Sequence, residues 1–471
     1  MEDLLDIRRV VSGLLKEITV LKQANERQLK EIARLTKENA ELHTKIHQLE
    51  ATIALMKGGK NSRSSSTAPS QDLGRSNQRS LRKVSGKKTG GQQGHSGHTL
   101  AMSDHPNEII DHLPEVCAHC GQSLESVSSE SYIRRQEIDI PPVEVLYIEH
   151  RMHRKTCPCC QAANQGVFPE GIKAPVQYGS HIEAMTGYLS VYQSMPYARI
   201  THLFRDFFKL KLSEGSVENF LEKLSQKANI AYETIREKVQ SSPVIGADET
   251  GCRVNGKKHW FHVWQNNLLT FIVSFASRGH KVIETYFEGG FIHSFYVSDC
   301  WSSQLKVKAR RHQLCLAHLL RELTNFVENL NSEWSVQMKG LFIRALELKN
   351  KMTENDYLNP PEEIAGLNTE LDELLRIDYS KFHAKEQAFL QRLIKHRQSI
   401  FTFLTHRDVP PDNNASERSI RNVKVKTKVS GQFRNKEGKG ADRYAKLRSI
   451  IDTTIKNQQD VYGALLALAK C

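Results

Sequence analysis

Leu14, Leu21, Gln28, Leu35, Leu42, Leu49 and Met56 recur every seven residues, and Val11, Ile18, Asn25, Ile32, Asn39, Ile46 and Ile53 recur in a second register between them. This spacing commits the first segment to a long helix with one apolar seam. β-Branched residues at one seam position and leucine at the other favour two parallel helices, and a buried Asn fixes their register. Residues 1–56 contain no proline. They are expected to form a coiled coil through which the chain makes a homo-oligomer, in preference to a helix packed on its own chain.

At Gly58-Gly59 the composition changes. Arg63, Arg75, Arg79, Arg82, Lys83, Lys87 and Lys88 stand among Ser and Gly, with Asp72 the single acid before His98. Such a tract cannot bury a core, so residues 57–105 are expected to be a flexible basic linker. His95 and His98, in the Gly-rich run 90–98, read as loop residues rather than ligands. The whole chain has 471 residues, the length of about three or four domains, and a net charge of +13. That charge favours a polyanionic partner. No basic region leads into an apolar signal core, and no stretch approaches the roughly 20 apolar residues of a membrane helix. A cytoplasmic protein without a membrane partner is expected.

Five of the nine cysteines crowd into residues 117–160, which is unlike a secreted disulfide framework. Cys117 and Cys120 form one Cys-x-x-Cys turn, and Cys157 and Cys160 form another. Two such turns supply the four soft ligands of a closed structural Zn²⁺ site. Cys159 is left over, and the 36 residues between the turns exceed the usual spacing. Alternating Val143, Val145, Tyr147 and Ile148 predict strands, so residues 106–172 are expected to be a small β-rich zinc module. Residues 173–240 read as helical. Pro196 starts one helix through Phe208, and Ser213 caps a second over Val217 to Leu224. A DNA-binding helix-turn-helix and a plain packed helical pair both remain open there.

After Pro243 the apolar period becomes two. Val244-Ile245-Gly246-Ala247 leads to Asp248, runs at 260–264 and 269–274 follow, and Asn255-Gly256 marks a turn. Phe295-Tyr296-Val297 leads to Ser298-Asp299. Two acids at the ends of two apolar strands suit a site for paired Mg²⁺ ions, which needs a further carboxylate, usually from a helix. Glu417 is that candidate, on a helix capped by Asn413 or Asn414 with Arg421 one turn on. Lys424, Lys426, Lys428, Arg434, Lys436 and Lys439 follow it as candidate phosphate contacts. Glu249 ranks below Asp248, because neighbours on a strand face opposite ways.

Taken in order, these blocks make the chain recognisable. Residues 90–98, both Cys pairs, and residues 174–179, 195–197, 247–251, 297–299 and 413–421 resemble the insertion-sequence-66 family of bacterial transposases. The resemblance implies a multidomain protein whose α/β ribonuclease-H-like catalytic core, residues 241–450, carries a DDE triad of Asp248, Asp299 and Glu417. An all-helical insertion is implied at about 320–410, and a C-terminal helical segment at 451–471. Two Mg²⁺ (or Mn²⁺) ions would sit on the triad and a structural Zn²⁺ on the cysteines. The implied partners are the element's terminal repeats, target DNA and companion proteins of the element, met in the bacterial cytoplasm on the nucleoid. Arg418, Arg421, Lys424, Lys426 and Lys428 are the expected DNA contacts.

Cys315 and His318 resemble a pattern that precedes such insertions; metal binding stays open for them, behind the preferred reading of a packed Cys and a hydrogen-bonded His. The chain departs from many relatives at Asn422, where they have Pro, and at Lys426-Thr427-Lys428, where they have Arg-Lys-Asn. Two rival readings keep most of these features. A non-catalytic DNA-binding regulator explains the first 240 residues but leaves the acids idle, and a nuclease that cuts without joining uses the same acids.

Overall fold

Apolar alternation after Pro243 builds a five-stranded mixed sheet. Its strands are β3 (Val244–Val254), β4 (Lys257–Gln265), β5 (Thr270–Phe275), β6 (Phe291–Ser298) and β7 (Ala309–Leu314). They lie in the order β5-β4-β3-β6-β7. The first three run antiparallel, and β6 and β7 run parallel to β3. The β3–β4 hairpin closes at Asn255-Gly256, where both residues take positive φ (47° and 77°) as a tight two-residue turn demands. Ile245, Phe261, Val263, Trp264, Phe271 and Tyr296 fill the sheet's core.

The computed structural model describes residues 2–57, 94, 100–434 and 439–471. Most of the expected linker, the run 90–98 apart from Gly94, and Lys436 lie outside the described residues. The chain divides into two compact units. One comprises Met1–Leu73, His150–Asp206 and Leu210–Cys471; the other comprises Gly74–Glu149 with Phe207–Lys209.

In the larger unit, a run of helices leads into the sheet. These are α2 (Ser180–Gly187), followed by a π-helical turn Tyr188–Tyr192, then α3 (Tyr197–Phe208), α4 (Glu214–Lys227) and α5 (Asn229–Gln240). Ser213 caps α4 by accepting from the Ser216 N–H at 3.0 Å. The helical region is not a separate layer. Tyr232 of α5 donates to the Ile272 carbonyl of β5 (2.8 Å), and Glu218 and Glu222 of α4 pair with Arg443. Arg443 belongs to α15 (Lys439–Lys456), which is one unbroken helix across residue 450. The expected division there therefore falls inside an element. The reason lies in β5, an edge strand whose free N–H groups need acceptors. Ser449 and Thr453 of α15 accept from Ile272 and Thr270 (2.8 and 3.1 Å). A last helix, α16 (Val461–Lys470), packs on α2.

Between β6 and β7 lies α7 (Ser302–Leu305), and α6 (Lys281–Tyr286) precedes β6. After β7 the chain is helical: α8 (Leu316–Leu330), α9 (Glu333–Lys351), α10 (Asn355–Leu358), α11 (Glu362–Leu375), α12 (Ala384–Lys395) and α13 (Thr402–Thr405). Leu341, Ala345 and Leu371 are buried there, as their helical spacing predicts, in a core continuous with Phe295, Val297 and Leu314 of the sheet. Then comes α14 (Asn414–Ser430).

The N-terminal segment is a single helix, α1 (Glu2–Lys57). Its seam residues Leu14, Leu21, Ile32, Leu35, Leu42, Ile46 and Leu49 are each half exposed or more. The region around the cysteines is poorer in strand than expected. Among the described residues it holds the ribbon of β1 (Arg154–Thr156) and β2 (Ala163–Gln165) and an isolated bridge between Val116 and Ser123. Val143, Val145, Tyr147 and Ile148 are not in strands, and Val143, Tyr147 and Ile148 are well exposed. Alternation forms a strand only where a neighbour takes up the backbone hydrogen bonds, and no neighbour does so here. No described helix is long and apolar enough to cross a membrane.

Candidate active site

Parallel pairing fixes the first two acids. Gly246 of β3 faces Val297 of β6 in the ladder. Asp248 and Asp299 each stand two residues further on, Asp248 within β3 and Asp299 just past the end of β6, so they emerge at the same level. Burial is the main force pushing the Asp248 carboxyl up to about 8, and the charges of Glu249 and Asp299 add to it. A partly buried carboxyl whose charge is disfavoured in this way is one that a bound cation would stabilise. Lys424 of α14 acts on Asp248 in the opposite direction.

Glu417 sits in the first turn of α14. That helix is pinned to β3 next to Asp248. The Asn413 amide donates to the Ala247 carbonyl (2.6 Å), its oxygen takes the Ser416 hydroxyl (2.6 Å), and Gln265 of β4 donates to Ser416 (3.1 Å). Asn413 is the N-cap residue of the helix, but its side chain is spent on Ala247 and Ser416 and takes no backbone N–H of the first turn. Asp412 accepts from the Asn414 N–H instead (3.0 Å). Gly246 is required at this junction, since a Cβ there would lie 2.5 Å from Ser416 Oγ and 2.7 Å from Gln265 Nε2.

The carboxylate of Glu417 meets Arg321 of α8 at 3.0 Å and His318 Nδ1 at 3.6 Å. Cys315 Sγ joins His318 and Glu417 in a cluster whose donor atoms lie within 4.8 Å of one another. Burial pushes the Cys315 thiol up to about 12, and its sulfur accepts the Asn413 N–H (3.1 Å). The buried thiol thus packs at the start of α14. Arg321 was not foreseen, because it comes from α8, 96 residues before Glu417.

Of the expected DNA contacts, Arg418, Arg421, Lys424 and Lys428 are exposed on α14. Lys426 is not available. It is buried, and its ammonium donates to the Ser190 and Met195 carbonyls (3.0 and 3.2 Å), tying α14 to the π-helical turn. Glu249 is also committed. Its carboxylate is turned to Arg278 and Gln304.

The two cysteine turns are built alike. Cys117 N–H donates to the Gln122 carbonyl and Gly121 N–H returns to Cys117; Cys157 and Gln161 repeat the pattern with Ala162. Gly121 and Gln161 both take the positive φ that closes such a turn (73° and 59°). Backbone N–H groups of Cys120 and His119 hold the Cys117 thiol below its ordinary range, and those of Cys160 and Cys159 do the same for Cys157. Two thiols presented on such a turn are the donors a structural Zn²⁺ takes.

A zinc-finger-like region ahead of a mixed sheet that carries clustered acids, with a helical body beside it, defines a multidomain metal-associated α/β protein. The sequence profile of the Transposase IS66 family matches residues 175–441, more than half of the chain. That of the zinc-finger binding domain of transposase IS66 matches residues 114–161, and a family of unknown function matches residues 17–101. The chain belongs to the IS66 family of transposases. No curated protein matches it.

Proposed function

We infer that the protein binds the ends of its element, cleaves phosphodiester bonds there and joins the freed ends to target DNA, with Asp248, Asp299 and Glu417 as its DDE triad. One observation carries this reading: Asp248 on β3 and Asp299 at the end of the parallel strand β6 share one level, and the helix bearing Glu417 is fastened to β3 next to Asp248. The strand order and directions of the sheet support a ribonuclease-H-like core, with α8 to α13 as its insertion.

The donor set fits hard cations, since it is made of carboxylate oxygens at a spot where burial and like charge disfavour bare anions. Two divalent cations there, Mg²⁺ or Mn²⁺, would supply an activated water and neutralise charge on the leaving 3′-oxygen. Asp248 and Asp299 hold the site from the rigid sheet, and Glu417 closes it from α14. Arg321 pairs with Glu417 and keeps its carboxylate at the site's edge. Arg418, Arg421, Lys424 and Lys428 meet the phosphate backbone, so binding is salt-dependent and separable from cleavage. In joining, the new 3′-hydroxyl takes the place of water. The cysteine pairs, by their spacing in the chain, serve a structural Zn²⁺. The α1 seam serves a homo-oligomer.

The test uses DNA carrying the source element's own ends. Asp248→Asn, Asp299→Asn and Glu417→Gln should each abolish cleavage and strand transfer, by about three or more powers of ten in rate, while end binding in gel shifts stays near wild type. Near-normal cleavage by Glu417→Gln would remove Glu417 from the triad.

A further inference from the structure

Glu249 stands beside Asp248 on β3, yet it turns the other way into the protein. Its side chain is 1% exposed. One carboxylate oxygen accepts from Arg278 Nε at 2.8 Å, and the other accepts from Gln304 Nε2 at 2.7 Å. The Gln304 amide is fixed in turn. Its oxygen accepts the Tyr296 hydroxyl (2.6 Å), which itself accepts the Trp264 indole N–H (3.1 Å). No rotation of that amide preserves both bonds.

The second arm runs through Arg278. Its guanidinium lies 3.7 Å from the ring centroid of Trp301 and 5.0 Å from that of Trp260. Stacking of a guanidinium on indole faces fixes its plane as well as its charge. Trp301 is the residue whose backbone N–H donates to Asp299 Oδ1, at 3.0 Å. Trp301 and Gln304 therefore bracket the short segment that follows Asp299, and both are held from Glu249.

A carboxylate buried here is expensive. Burial and the Asp299 charge both work against its ionised form, and Arg278 and Gln304 only partly offset them. A buried ion pair is a weak source of stability against apolar packing of the same volume, but it does dictate where its partners sit. What the pair dictates here is the position of the chain that carries the second acid.

We propose that Glu249 is a positioning residue of the active site: through Arg278 and Gln304 it fixes the segment 299–304, so that Asp299 and Asp248 face one cation between them. Glu249 ligates nothing itself. The proposal rests on the reading of Asp248 and Asp299 as metal ligands. It also changes what Glu249→Gln should do, since a carboxylate idle on the far face of its strand would give a mild variant.

Mn²⁺ binding to the full-length, zinc-loaded protein, followed by the electron paramagnetic resonance signal of the free ion, tests it without DNA or turnover. Glu249→Gln and Arg278→Met should each weaken Mn²⁺ binding roughly 10- to 100-fold, the range for partners that orient ligands. The double variant should be no weaker than either single one, because both cut the same tether. Trp301→Ala, a change at a partly exposed ring, should weaken binding in the same direction, and Trp301→Phe should restore most of it. That pair keeps the test decisive if the buried variants unfold. Wild-type Mn²⁺ affinity in folded Glu249→Gln and in Trp301→Ala would overturn the positioning role. Loss of binding in Glu249→Gln as complete as in Asp248→Asn would overturn it too, by making Glu249 a ligand. Wild-type affinity in Asp248→Asn and Asp299→Asn would instead sink the metal-site reading beneath it.

Discussion

Lys426 shows how residue-level charge misleads. Lys424, Lys426 and Lys428 look like one basic stripe when read along the sequence. On a helix, each residue turns about 100° from the last, so i and i+4 share a face and i+2 points away. The structure follows that geometry, with Lys424 and Lys428 exposed and Lys426 buried against Ser190 and Met195. Burial pushes the Lys426 ammonium down to about 8. Lys426→Ala should therefore cost stability, roughly 1–3 kcal/mol for two buried carbonyls left without their donor, measurable by urea unfolding. It should leave the salt dependence of end binding unchanged. Lys424→Ala and Lys428→Ala should do the reverse, each lowering the slope of log affinity against log salt by about one. A lowered slope in folded Lys426→Ala would return that residue to the DNA interface.

At the scale of elements, local signals were readable and long-range closures were not. Val244 to Ala247, the Asn255-Gly256 turn, and Phe295 to Val297 announced strands β3 and β6 and the hairpin, because period and turn chemistry act over a few residues. The helix around Glu417 was equally legible. Its anchoring was not, since Gln265 and Ser416 are 151 residues apart and nothing in either neighbourhood names the other. The strands expected near Val143 failed for the converse reason: the alternation was present and the partner was missing. The α14 junction gives its own test. Gly246→Ala places a methyl against Ser416 Oγ, Gln265 Nε2 and Asn413 Oδ1, at 2.5, 2.7 and 3.0 Å. Ser416 cannot swing clear without breaking its bonds to Asn413 and Gln265. The variant should lose about 1–3 kcal/mol of stability to overpacking, read by denaturant unfolding. Its cleavage should fall much further than its end binding, because the displaced helix carries Glu417. Cleavage at the wild-type rate would mean that α14 tolerates a shift at this contact.

At the scale of the whole molecule, the seam residues of α1 whose side chains are described lie open to water. A helix of 56 residues rises about 1.5 Å per residue and so reaches roughly 80 Å. Leu14, Leu21, Ile32, Leu35, Leu42, Ile46 and Leu49 stay at least half exposed along it. An apolar stripe of that length left in water favours association, and a second copy offers the same stripe in the same register. Asn25 and Asn39 recur on one seam position, where a pair of amides can bond to each other only when the two helices are aligned. Away from the seam, Arg34 reaches Glu31 and Glu38 on its own helix (2.8 and 3.1 Å), which supports the helix and leaves the seam to decide the partner. Deleting residues 1–57 should therefore lower the sedimenting mass to that of a smaller species while thermal unfolding of the remaining chain stays cooperative. Leu35→Asp with Leu42→Asp, in the intact chain, should do the same by burying like charges in the seam. Binding of one element end should survive both changes, since the phosphate contacts proposed for it lie on α14. Pairing of two ends, which needs two copies held together, should be lost. An unchanged mass after both changes would mean that the copies meet through another surface.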